Sequence, residues 1–109
     1  MQLVKIYDKT CDVCRMLAGI DEEIADDQGF FFRQHTLHEL AATESALRDY
    51  VVNVYVSGVD GMIDIPIYLL ITDREEIQAS GVVQNVEELN NLITSWRQWE
   101  SSQKQPSTV

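Results

Sequence analysis

The sequence predicts an α/β fold, a mixed sheet of four to five strands with helices on both faces. Three observations point there. Short apolar runs alternate with stretches of helical spacing through the first half of the chain, two apolar runs further on are joined by a tight polar turn, and an amphipathic stretch follows them. Strand and helix in alternation, then a hairpin, imply a sheet of mixed direction covered on both sides. The chain has 109 residues, 45% of them hydrophobic. It is long enough for one domain with its own core, expected over residues 1–100, followed by a polar tail over 101–109 that is expected to be disordered.

Leu3 to Tyr7 reads as a short strand suited to a central position. After the polar Asp8-Lys9-Thr10 come Cys11-Asp12-Val13-Cys14, and helical spacing starts at once, with Val13, Met16, Leu17, Ile20 and Ile24 on one face. Asp21, Glu22, Asp26 and Asp27 fall on the opposite face, which reads as solvated or as a docking face for a basic partner. Gln28-Gly29 ends the pattern and Phe30 to His35 forms a second strand. Thr36 with Glu39 is a capping box for a second helix carrying Leu37, Leu40, Ala41 and Leu47. Val51 to Val56 can continue that helix or form an extra strand, and valine density favours the strand; Gly58 to Gly61 is a turn or loop. Ile65 to Ile71 is the most apolar run, with Pro66 at its start because proline lacks the N–H for a central ladder. Thr72 to Glu75 turns the chain into an antiparallel strand, Glu76 to Val83. Asn85 with Glu88 caps a last helix bearing Val86, Leu89, Leu92, Ile93 and Trp96.

Eight basic residues against eighteen acidic ones leave a net charge of −10. That repels phosphate backbones, and no basic stripe offsets it, so nucleic acid is not an expected partner. Nor is a membrane, since no run approaches the length of a span. No charged-then-apolar leader is seen, and the expected location is cytoplasmic.

The chemistry centres on Cys11 and Cys14, the two cysteines of the chain. A strand that delivers C-x-x-C onto the first turn of a helix places the leading sulfur where unpaired backbone N–H groups point. That favours the thiolate, the form that attacks disulfides. Such close spacing suits a reactive pair better than a loop clamp. Two other readings compete. Both thiols can be passive core residues, or Cys11, Cys14, His35 and His38 can hold zinc, although the two histidines are spaced more closely than usual for that metal.

With these residues in view, the chain resembles the thioredoxin superfamily. The resemblance rests on the strand leading into Cys11-Asp12-Val13-Cys14, on Ile65-Pro66 opening a later strand, on the hairpin closed by Gly81, and on the last helix, and it spans residues 2 to 99. It implies a thioredoxin-like fold with a cis peptide before Pro66, packed beside the cysteines. The backbone of Ile65 is then free to pair with an extended stretch of substrate. It also implies a small thiol–disulfide oxidoreductase in which Cys11 is the nucleophile and Cys14 the resolving thiol. No bound cofactor and no metal are required; the partners are a protein disulfide and a reductase or dithiol donor, and a monomer is expected. The chain departs from the family at several positions. Thr10 stands where a tryptophan is familiar, Asp12-Val13 where Gly-Pro is, and Lys5 where thioredoxins bury an aspartate that helps move protons. The glutathione-binding pattern of glutaredoxins is absent after Gly81. The spacing Asp8-x-x-Cys11-x-x-Cys14 also looks like the signature of another thioredoxin-like oxidoreductase family, and residues 49–62 read as an insertion.

Two acidic residues are candidates for tuning the pair. Asp12 stabilises the first helical turn but sits beside a developing thiolate and disfavours it, which predicts a reducing potential. Lys9 and Arg15 act in the opposite sense. Asp8 can accept a proton from Cys14 or can serve as a turn residue. The alternative function, from a different class, is an interaction module in which the acidic helix and residues 49–62 bind a protein and redox turnover is incidental.

Overall fold

The structure, a computed structural model, describes residues 1–42, 45–56 and 61–104. Strand β1 (Gln2–Tyr7) runs parallel to β2 (Phe31–Thr36) and antiparallel to β3 (Ile67–Ile71), which pairs antiparallel with β4 (Ile77–Val82). The order β2-β1-β3-β4 makes β1 and β3 central, and these are the two most apolar strands. Alternation along each strand then sorts side chains onto two faces. On one face Leu3, Tyr68 and Leu70 pack with Leu17, Ala25, Leu89, Ile93 and Trp96 from helices α1 (Asp12–Leu17), α2 (Ile20–Asp27) and α5 (Val86–Lys104). On the other, Val4, Ile6, Ile67, Leu69 and Ile71 pack with Leu40 of α3 (Leu37–Ala42) and Val51 of α4 (Ala46–Tyr55). Each fully buried side chain of this kind contributes roughly 1.5–3 kcal/mol.

The Thr36–Glu39 capping box and the Asn85 cap are both formed, with the Glu88 carboxylate accepting from Gln84 N at 2.9 Å. Thr36 N donates to Glu39 Oε1 and Glu39 N to Thr36 Oγ1, each at 3.1 Å, while Glu88 N donates to Asn85 Oδ1 at 2.8 Å. Other expectations need correction. Residues 51–55 are helical, so among the described residues the sheet has four strands. Ser45 caps α4 by accepting from Arg48 N at 3.1 Å, and Leu47, Tyr50 and Val51 then face the sheet at helical spacing. Val52 and Val54 point to solvent, so packing at Val51 overrides the strand preference of valine. The hydroxyls of Tyr50 and Tyr55 reach Ser80 Oγ on β4 at 2.8 and 2.6 Å. Residues 49–55 thus belong to the helix that crosses between β2 and β3. Of the expected 58–61 turn, residues 58–60 lie outside the described residues.

The helix expected from Asp12 onward is two helices. Ala18 ends α1, and Gly19, at φ +84°, starts α2 in a conformation that glycine adopts without strain. The break changes the rotation of everything after it. Asp21 turns inward to 1% exposure, while Met16 and Ile20 face solvent. Asp21, Glu22 and Glu23 now lie in a first turn, where the helix dipole favours them. Helix α5 continues to Lys104, so residues 101–104 of the expected tail are helical, and residues 105–109 lie outside the described residues. Among the described residues no helix is long and apolar enough to cross a membrane.

Candidate active site

The end of β1 builds the cysteine turn by local hydrogen bonds. Asp8 Oδ1 accepts from both Thr10 N and Thr10 Oγ1 at 2.9 Å, and Cys11 N donates to Asp8 O at 3.1 Å. This is an Asx turn, the chemistry expected of Asp in that position. Cys11 follows as the N-cap of α1, in extended backbone conformation, and its Sγ accepts from Cys14 N at 3.1 Å. The sulfur takes the place of the oxygen that usually caps a helix, at the end where negative charge is stabilised. Cys11 is partly exposed, Cys14 is 2% exposed, and both are free thiols. Burial pushes the Cys14 thiol up to about 11; its hydrogen bond with Cys11 adds to the rise, while a backbone hydrogen bond from Asp8 and, less, the Lys5 charge oppose it. One thiol is therefore presented and its neighbour is held in reserve behind it.

The two acidic tuning candidates are both engaged at the surface. Thr10, through its amide and then its hydroxyl, holds the Asp8 carboxyl below its usual range. Asp12 is ion-paired with Arg15 one turn along α1, so much of its charge is balanced locally. Just before β3 the Ile65–Pro66 peptide is cis. The β1–β3 register pairs Ile6 with Ile67, which sets Pro66 at the end of β1 from which the cysteine turn departs. Pro66 O accepts from Val83 N at 3.0 Å. The Ile65 carbonyl is not wholly free: Gln84 Nε2 lies within hydrogen-bond reach of it at 3.5 Å. His35 and His38 do not join the cysteines, since among the described residues no group of three or more His, Cys, Asp and Glu side chains is placed to hold a metal. Trp96 packs in the core and Trp99 faces solvent.

Sequence reasoning placed Lys5 at a position that thioredoxins bury but missed its partners behind Cys14, Asp21 and Tyr68. Lys5 Nζ forms an ion pair with Asp21 Oδ2 at 2.7 Å, both side chains 2% exposed, and donates to Cys14 O at 2.9 Å. Tyr68, opposite Lys5 in the ladder, donates its hydroxyl to the same Asp21 oxygen at 2.7 Å. Burial, with the Asp21 carboxylate beside it, raises the Tyr68 hydroxyl far above its ordinary value. One signal was available. A lysine in the middle of an apolar central strand has to meet a buried counter-charge. Which acid supplies it depends on the break at Gly19.

Thioredoxin 1 from the thermophilic eubacterium Thermosipho africanus TCF52B superimposes on this arrangement with a TM-score of 0.61, over 95% of this chain and 100% of that one. The fold is thioredoxin-like. The two sequences are 19% identical, so the likeness carries the fold alone. No protein-family model and no curated protein matches the sequence. Within the thioredoxin-like frame, Cys11 and Cys14 stand at the strand-to-helix junction, and the buried pair beneath them has its lysine on β1 and its aspartate on α2.

Proposed function

We propose that this chain is a small thiol–disulfide oxidoreductase acting on protein disulfides through Cys11 and Cys14. The observation that supports it is the division between the two thiols. Cys11 is a partly exposed helix cap whose sulfur receives an amide hydrogen bond, and Cys14 is shielded directly behind it. In the proposed cycle the Cys11 thiolate attacks one sulfur of a substrate disulfide. A Cys11–substrate bond forms, the substrate S–S bond breaks, and the departing sulfur takes a proton. Cys14 then attacks Cys11 and expels the second substrate thiol, which leaves a Cys11–Cys14 bridge. Two electrons pass to the substrate, and a reductase or dithiol donor restores the thiols. Ile65 and Pro66, at the adjacent strand end, receive an extended stretch of substrate in this reading, with the Gln84 amide giving way. The proposed setting is the cytoplasm, with the chain a monomer.

Turnover of a protein disulfide by wild type, Cys11→Ser and Cys14→Ser tests this. Wild type should reduce it, Cys11→Ser should lose all activity, and Cys14→Ser should accumulate a mixed disulfide at Cys11, visible by mass spectrometry. A Cys11→Ser variant with undiminished function would instead favour an interaction module.

A further inference from the structure

The two edges of the sheet are finished differently. Along β4 the ladder carries a register shift, its residues are half-buried, and the Tyr50 and Tyr55 hydroxyls reach Ser80. Irregularity and cover of this kind keep an edge from pairing with other chains. The β2 edge has neither. Its register with β1 runs unbroken from Gln2↔Phe31 to Tyr7↔Thr36, and among the described residues no strand lies on its outer side. Phe31 N donates to Met1 O at 3.0 Å, so alternation along the ladder turns the backbone groups of Phe32 and Gln34 outward. Phe31 itself is 67% exposed, and the strand holds no proline or lysine to guard it.

Beside this edge a groove of about 580 Å³ opens between α2 and β2, lined by Glu22, Glu23 and Asp26 and by Phe30, Phe31 and Phe32. The ion pairs among the described residues leave those three carboxylates without a cation. Arg97, whose guanidinium stands 5.0 Å from the centre of the Phe30 ring, is bonded to Gln28 instead. Phe32 packs toward α2, so Phe31 points to the other face of the sheet. A second copy of the chain does not suit this edge. Antiparallel pairing of two β2 strands would set one acidic wall against the other, on chains of net charge −10.

We propose that the outer edge of β2 docks an extended, basic segment of a partner protein. The segment adds a strand to the sheet through Phe32 and Gln34. Its lysine or arginine side chains face Glu22, Glu23 and Asp26, and its alternate, aliphatic ones cover Phe31. Main-chain hydrogen bonds supply affinity in this mode, and the alternating side chains supply selectivity. The proposal is independent of the cysteine chemistry, since Phe31 pairs with Gln2 at the end of β1 away from Cys11.

The probe is a short fluorescein-labelled peptide of alternating arginine and valine, titrated against the full chain by fluorescence anisotropy. It should bind, and a glutamate–valine counterpart should not. By amide NMR the bound peptide should slow hydrogen exchange at Phe32 and Gln34 about tenfold or more, and leave Phe31 and Arg33 unchanged. Glu22→Gln, Glu23→Gln and Asp26→Asn together should weaken binding about tenfold, as three exposed ion pairs imply. Asp64→Asn, Glu76→Gln and Glu87→Gln together remove the same charge from other exposed positions and should weaken it about twofold at most. Equal weakening by the two triple variants, no binding to wild type, or binding that leaves Phe32 and Gln34 exchanging as before overturns the proposal. So does protection of these amides without peptide in a chain that sediments as a dimer, which would give the edge to a second copy.

Discussion

Asp8 and Asp21 lie on either side of the cysteine pair and have opposite surroundings. Asp8 stands in the exposed turn after β1, its carboxylate occupied by the amide and hydroxyl of Thr10. Asp21 stands in the first turn of α2, sealed from water and bound by Lys5 and Tyr68. Asp8, at the end of β1, was the acid expected to accept a proton from Cys14, yet the acid joined to the Cys14 carbonyl through a lysine is Asp21. Charge in a surface turn is cheap and screened, whereas charge in the interior persists only with a partner. The buried group is therefore matched by a cation inside the fold, and the exposed one shapes the backbone.

The sharpest way to break this contrast is Lys5→Met, which leaves Asp21 buried without its cation. It should cost about 3–5 kcal/mol of unfolding free energy in a denaturant titration, and a loss below about 1 kcal/mol would mean that the pair is not sealed. A smaller effect is expected at alkaline pH. The folded-state value of Cys14 is raised from 9.0 to about 11, so the stability it contributes is complete below pH 9 and is lost as pH rises through that window. The loss should be on the order of 2 kcal/mol and absent from Cys14→Ser. Gly19→Ala, at φ +84° with no neighbour crowding the site, should cost about 1 kcal/mol through backbone conformation alone. If instead it also disturbs the Lys5–Asp21 pair, the loss will exceed that figure. Asp8→Asn should alter stability by no more than about 0.5 kcal/mol, because the amide oxygen can still accept from Thr10. Reduction rates at neutral pH should stay within about twofold of wild type; a larger fall would return Asp8 to the proton path.

Much of the site was legible because it is local. The turn from Asp8 to Cys14, the Thr36–Glu39 box and the Asn85–Glu88 cap are hydrogen bonds between residues two or three apart, and their side-chain chemistry is readable wherever it occurs. The central strands were legible because β3 is apolar throughout, which suits a strand buried on both faces. The α4 region was misread for a contrasting reason. The preference of a valine run for a strand is weak, and Val51 found its partners on a sheet built from residues elsewhere in the chain.

The sequence by itself determined the four strands, two of the helix caps and the presentation of Cys11 at a strand-to-helix junction, since each depends on neighbours a few positions away. Only the tertiary structure decided that Asp21 faces inward and that Lys5 meets it behind Cys14. A change of helix phase at one glycine rotates all that follows, and a buried charge has to be matched in space by whatever the fold brings within reach.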